Sequence, residues 1–187
     1  MAVFKIIKGE YKNKDAIKNV ITYIWGKEEE NKTPNNIFGA LGVDYENINL
    51  TISQFEKIQR VYRKDSGKRI LHIVVGFSKK EVFSLQQYLS IGYDIAKLFG
   101  GEHQVFFGLH ENRKNKMHIH FAVNPVNVYT GEKIHWQKQD IVQLNENVRQ
   151  IVLKYRAKNI KNRKIYWWHL LESRVCSANQ PVHRPRV

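Results

Sequence analysis

HENRKNKMHIHFAVNPVN, residues 110–127, is the segment whose alternation organises everything around it. Successive side chains of a β-strand point to opposite faces, so His118 and His120 share one face while Met117, Ile119, Phe121 and Val123 point into a core. The apolar run just upstream, residues 104–110, reads as a second strand. The polar stretch ENRKNK between the two predicts an antiparallel hairpin with a long connection. Pairing His110 with His118 sets Gly108 opposite His120, and three imidazoles then surround a space that Gly108 does not fill. That register is an assumption, but the parity is not. All three histidine numbers are even, so any in-phase, unbulged pairing puts them on one face.

Further out, residues 69–77 (RILHIVVGF) are rich in β-branched side chains. Leu71, Ile73, Val75 and Phe77 fall on one face and Ile70, His72, Val74 and Gly76 on the other; both are largely apolar, which predicts a strand in the sheet interior. Ser78 and Glu81 form an S-x-x-E box that is expected to open a long helix ending at Gly100 and Gly101. Residues 2–8 read as a first strand. A helix over 13–25 follows, with Ile17, Val20, Ile21, Ile24 and Trp25 on one apolar stripe and Tyr23 off it. Residues 26–36 are charged and aperiodic, an exposed loop. Gly39 and Gly42 mark an irregular segment, after which Ser53 is expected to cap a helix using Phe55, Ile58 and Tyr62. A turn through Gly131 precedes a helix over 138–156. The fold class is α+β, a mostly antiparallel central sheet with helices packed on it.

The 187 residues carry 31 Lys+Arg against 17 Asp+Glu, a formal charge of +14. An excess of that size on a chain that is 42% hydrophobic marks a folded domain with a polyanion partner, for which nucleic acid is the default. The single cysteine, Cys176, excludes an internal disulfide and a thiolate zinc knuckle. No apolar run reaches the roughly 20 residues a membrane span needs, so no membrane partner is expected and the expected location is the cytoplasm.

Three neutral imidazoles beside an open position suit a divalent cation that polarises a substrate oxygen. The rival reading is two or three histidines making hydrogen bonds on a sheet surface. No cluster of Asp and Glu accompanies them as in a two-metal nuclease, and Glu111 alternates onto the opposite side if its strand continues. Breaking a phosphodiester then needs water or a protein nucleophile. Tyr23, off its helix's packing stripe and next to the charged loop, is the candidate. Lys27, Arg113, Lys114 and Lys116 lie near the same region and are expected to bind DNA, as are the charges of AKNIKNRK with Trp167 and Trp168 further on.

These residues carry a family resemblance. His118-Ile119-His120 is a His-hydrophobic-His element. With ITYIWGKEEENKT, GKRILHIVVGFS, GEHQVFFGLHEN and HIHFAVNPVNVYTGEKIH in that order, the chain resembles the relaxase or mobilisation-nuclease domain of plasmids and integrative conjugative elements, a branch of the HUH endonucleases. The resemblance implies an HUH relaxase-like domain over residues 1–157 and a basic, aromatic, partly disordered extension over 158–187. It implies site- and strand-specific nicking and joining at a transfer origin: Tyr23 attacks phosphorus, leaving a 5′-phosphotyrosyl bond and a free 3′-OH. His110, His118 and His120 would hold Mg²⁺ or Mn²⁺. Where the family commonly has an acidic residue two places after the first histidine, this chain has Asn112, preceded by Glu111. Either could stand in for a histidine ligand, and Glu111 is given a catalytic, histidine-orienting role. His72 matches a histidine of the family's corresponding strand and is read as structural. Asn124 and Asn127 resemble an N-P-x-N turn, with Asn124 grouped among the DNA-binding residues as one that shapes the site.

A tyrosine cannot reach phosphorus inside an undistorted duplex, so the expected partner is single-stranded or hairpin DNA at the origin, with accessory DNA-binding proteins and a coupling protein alongside. Rival readings are a rolling-circle replication initiator, a transposase of the same superfamily, a hydrolase that uses water, and a non-catalytic basic DNA-binding module.

Overall fold

The computed structural model describes residues 2–9, 11–26, 37–99, 101–111 and 116–178, with side chains described to residue 159. In chain order the elements are β1 (Val3–Ile6), α1 (Ala16–Trp25), β2 (Phe38–Leu41), α2 (Ile48–Val61), β3 (Leu71–Gly76), α3 (Leu85–Ala96), a short 3-10 turn over Lys97–Phe99, β4 (Val105–Glu111), β5 (Met117–Val123) and α4 (Lys138–Ala178). The five strands form one antiparallel sheet in the order β1-β3-β5-β4-β2.

Alternation along the strands divides the core in two. Odd-numbered residues Leu71, Ile73, Val75, Val105, Phe107, Leu109, Ile119, Phe121 and Val123 pack with Tyr88, Ile91 and Ile95 of α3 and Val148 and Val152 of α4. Even-numbered Phe106 and Ala122, with Ile70, pack with Ile17, Val20, Ile21 and Ile24 of α1 and Phe55 of α2. The histidines are even-numbered, so they lie on the α1 face.

Three local expectations are corrected. The helix expected from Ser53 begins a turn earlier, at Ile48, because the Asn47 side chain accepts hydrogen bonds from the Asn49 and Leu50 N–H groups. The S-x-x-E box does close, with the backbone N–H and hydroxyl of Ser78 both donating to Glu81 Oε2, yet it builds a turn and opens no helix. Helix α3 starts instead behind Ser84 and Gln87, which form the reciprocal capping box. The intervening non-helical residues let Phe83 reach Phe77 and Tyr88, with ring centroids 5.8 and 5.4 Å away. The segment with Gly39, expected to be irregular, contains edge strand β2 paired with β4. Gly39 is required there, since a Cβ would sit 2.3 Å from Phe107 Cζ. Helix α4 runs through residue 157 without a break.

Candidate metal centre

The hairpin register is the expected one: His110 pairs with His118 and Gly108 with His120. The ring centroids of His110 and His118 each lie 4.7 Å from that of His120. Each histidine offers one nitrogen to a group whose members all lie within 4.8 Å of one another.

Each imidazole is also anchored through its other nitrogen. His110 Nε2 donates to the main-chain oxygen of Ile24 at 2.7 Å, and His118 Nδ1 donates to that of Lys116 at 3.2 Å. His120 Nδ1 lies 2.8 Å from His72 Nε2, and His72 Nδ1 lies 3.2 Å from the Tyr11 hydroxyl. That leaves His110 Nδ1 and His120 Nε2, both buried and without a hydrogen-bond partner, with His118 as the third member of the cluster. Buried polar atoms in folded proteins are nearly always paired, so two buried imidazole nitrogens without partners, in a cluster that could hold a metal ion, are open to a cation. Outer hydrogen bonds that fix ring orientation and tautomer are what metal-binding histidines require. Three imidazole nitrogens could hold a divalent transition-metal ion and leave its remaining positions to oxygen ligands.

The electrostatics agree. Burial pushes the His110 and His118 imidazoles below the ordinary range. His72 is pushed down to about 4, by burial first and then by His110. His120 is lowered furthest, by burial and then by its three histidine neighbours. All four rings are therefore neutral at pH 7, the form that ligates metal.

Helix α1 brings Tyr23 to this cluster. The Tyr23 ring centroid lies 5.1 Å from that of His120, 5.6 Å from His110 and 5.7 Å from His72. The helix ends one turn later at Gly26, whose left-handed φ of 81° lets its N–H bond the Tyr23 carbonyl. Gly108 does not leave a vacant space, as the sequence reading expected. A Cβ there would meet Ile24 Cγ2 at 2.9 Å and the Ile24 oxygen at 3.0 Å, so the glycine admits the end of α1. The open side lies instead towards Gly76, opposite His118 in the sheet, where a Cβ would meet nothing within 4 Å.

Two expected site residues lie elsewhere. Glu111 continues β4 opposite Met117 and so projects from the other face, where it lines a cavity of about 510 Å³ with Glu81, Tyr88 and Lys116; it cannot orient a histidine from there. Asn124 is fully buried and cannot touch DNA. Its amide bonds the Phe55 oxygen and Gln104 Oε1, and its oxygen accepts from Gln59 and from the Val126 N–H, so it ties α2 to the sheet. Lys116 is exposed at the start of β5, beside His118. Lys27, Asn112, Arg113 and Lys114 lie outside the described residues.

Sequence reasoning underrated His72. Its even number put it on the imidazole face, and in the sheet it pairs with Ala122, diagonal to His120. Strand parity was the available signal. The Ile24 carbonyl and Tyr11 carried no signal of their own.

The site is thus a sheet face with three clustered imidazoles that could hold a metal ion, with the ring of a tyrosine from α1 packed against them. The family model for the MobA/VirD2-like relaxase nuclease domain matches residues 23–157, a span that starts at Tyr23 and includes His72, His110, His118 and His120. The chain belongs to this family of DNA-binding endonucleases, which nick DNA in mobilisation. No curated protein matches it by sequence. Among the described residues no helix is long and apolar enough to cross a membrane.

Proposed function

We propose that this domain cuts and rejoins one DNA strand at a transfer origin through a covalent bond to Tyr23, starting the mobilisation of a plasmid or conjugative element. The observation that carries the reading is the contact of the Tyr23 ring with the His110 and His120 imidazoles, each of which keeps one buried nitrogen without a partner. A divalent cation held by His110 Nδ1, His120 Nε2 and His118 would supply positive charge against the non-bridging oxygens as they gain charge in the transition state.

The protein's own residues do the rest. Tyr23 Oη attacks phosphorus, a P–O bond to Tyr23 forms, and the bond from phosphorus to the 3′ oxygen breaks. The departing 3′ oxygen takes up a proton, which balances the one lost by the phenol. The products are a 5′-phosphotyrosyl ester and a 3′-OH. One phosphodiester replaces another, so the 3′-OH can attack in reverse and release Tyr23, which suits rejoining after transfer. Helix α1 holds the phenol in place: its last turn is pinned to the sheet by the His110 bond to Ile24. The substrate is single-stranded or extruded DNA, drawn to a chain with a net charge of +14.

The test is incubation with Mn²⁺ and 3′-labelled single-stranded DNA tiled across the sequence flanking the gene. A labelled adduct that survives denaturation is expected. It should disappear with EDTA, with His120→Ala and with Tyr23→Phe. Full activity of Tyr23→Phe would assign the attack to water or another side chain.

A further inference from the structure

We propose that Tyr11 is a positioning residue for the candidate metal centre, acting through His72 to fix which nitrogen His120 turns towards the cation. The inference rests on the reading that the three histidines hold a divalent ion. Neutral imidazole carries one N–H and one lone pair, so the hydrogen bonds Tyr11–His72–His120 can run in only two directions. If His120 is to present the Nε2 lone pair to a cation, its proton must sit on Nδ1 and be donated to His72 Nε2. The His72 proton must then sit on Nδ1 and be donated to the Tyr11 oxygen. A hydroxyl accepts that last bond. Without an acceptor, His72 is better served by a proton on Nε2, which confronts the Nδ1–H of His120 and pushes the His120 proton onto Nε2, against the incoming ion.

Tyr11 is held for this task by contacts that a surface tyrosine does not need. Its φ of 41° lies in the left-handed region, which costs strain for a residue other than glycine. Its ring lies across Gly9, where a Cβ would fall 2.4 Å from Tyr11 Cε2. Its carbonyl accepts from the Arg69 N–H at 2.9 Å. The Arg69 side chain is itself buried and reaches back to the same loop, donating to the Lys14 oxygen at 2.7 Å and to Gln59 Oε1 at 3.2 Å. Backbone, ring and carbonyl are thus fixed separately, and the hydroxyl ends at His72.

The experiment measures Mn²⁺ binding to the full chain by calorimetry. Direct outer partners of metal ligands are worth about 10–100-fold in affinity, so His72→Phe is expected to lose that much, and Tyr11→Phe, one bond further out, about threefold to tenfold. The double variant should bind no more weakly than His72→Phe alone, because Tyr11 acts only through His72. In parallel, ¹⁵N NMR of the wild-type, Mg²⁺-loaded protein should show protons on Nδ1 of both His72 and His120. Absence of Mn²⁺ binding by the wild type would defeat the metal reading itself. Wild-type binding with an unchanged Tyr11→Phe, an added loss in the double variant, or a His72 proton on Nε2 would defeat the Tyr11 inference and leave the metal reading standing. The NMR measurement decides the matter even if a variant fails to fold.

Discussion

His110 Nε2 lies 2.7 Å from the main-chain oxygen of Ile24, the residue that follows Tyr23. One hydrogen bond thus joins an imidazole of the triad to the last turn of the helix that carries the phenol. It has a second consequence. A helix C-terminus bears partial negative charge, so the end of α1 favours a cation on the sheet beneath it.

This junction depends on Gly108. Gly108→Ala would bring a Cβ to 2.9 Å from Ile24 Cγ2 and 3.1 Å from Phe38 Cδ1, contacts that force α1 or β2 to move. A loss of about 1–3 kcal/mol in urea unfolding is expected, with a larger proportional loss of nicking because Tyr23 moves with the helix. Gly76→Ala, on the same face with open space around it, should change stability by less than about 0.5 kcal/mol.

Ion binding should register in stability as well as in chemistry. With Mn²⁺ at about 100 times its Kd, the folded state is expected to gain about 2.7 kcal/mol, read as a rise in Tm. His110→Ala and His118→Ala should abolish most of that rise. Glu111→Gln should keep it, since Glu111 faces the opposite side of the sheet.

How far this arrangement was legible beforehand follows from the kind of rule each part obeys. Strand parity is strict and by itself puts His110, His118 and His120 on one face; the pairing of His110 with His118 rested on an assumed register, which is the one the sheet adopts. The same rule warned that Glu111 projects away, and it held the clue to His72. Capping motifs are local and permissive, so residues 78–81 satisfied an S-x-x-E pattern in a turn while the helix waited for Ser84. Strand β2 is four residues at an edge with a glycine inside, too short to show a period. Asn124 and Tyr11 depend on what the fold brings to them: one is enclosed by α2 and β4, and the other reaches His72 from a loop by a left-handed backbone turn. No spacing within the sequence encodes such contacts.

The buried imidazoles also set a pH dependence. His72 has a folded pKa of about 4 against 6.5 when unfolded, so between those values the unfolded chain binds more protons and stability rises with pH. The contribution is complete above about pH 7, worth about 3 kcal/mol, and is lost as pH falls towards 4. Urea midpoints of EDTA-treated protein should fall across that window, and His72→Phe should flatten part of the fall. A midpoint independent of pH there would show that His72 is not buried in its neutral form.

The central claim is that Tyr23 itself becomes bonded to DNA. Its most direct test is protease digestion of the adduct formed with Mn²⁺, nuclease trimming of the attached strand, and tandem mass spectrometry of the peptides. The account expects a 5′-phosphonucleotide on the tyrosine of the peptide that contains Tyr23 and on no other. A nucleotide on a different tyrosine, or cleaved DNA with no modified peptide, would contradict it.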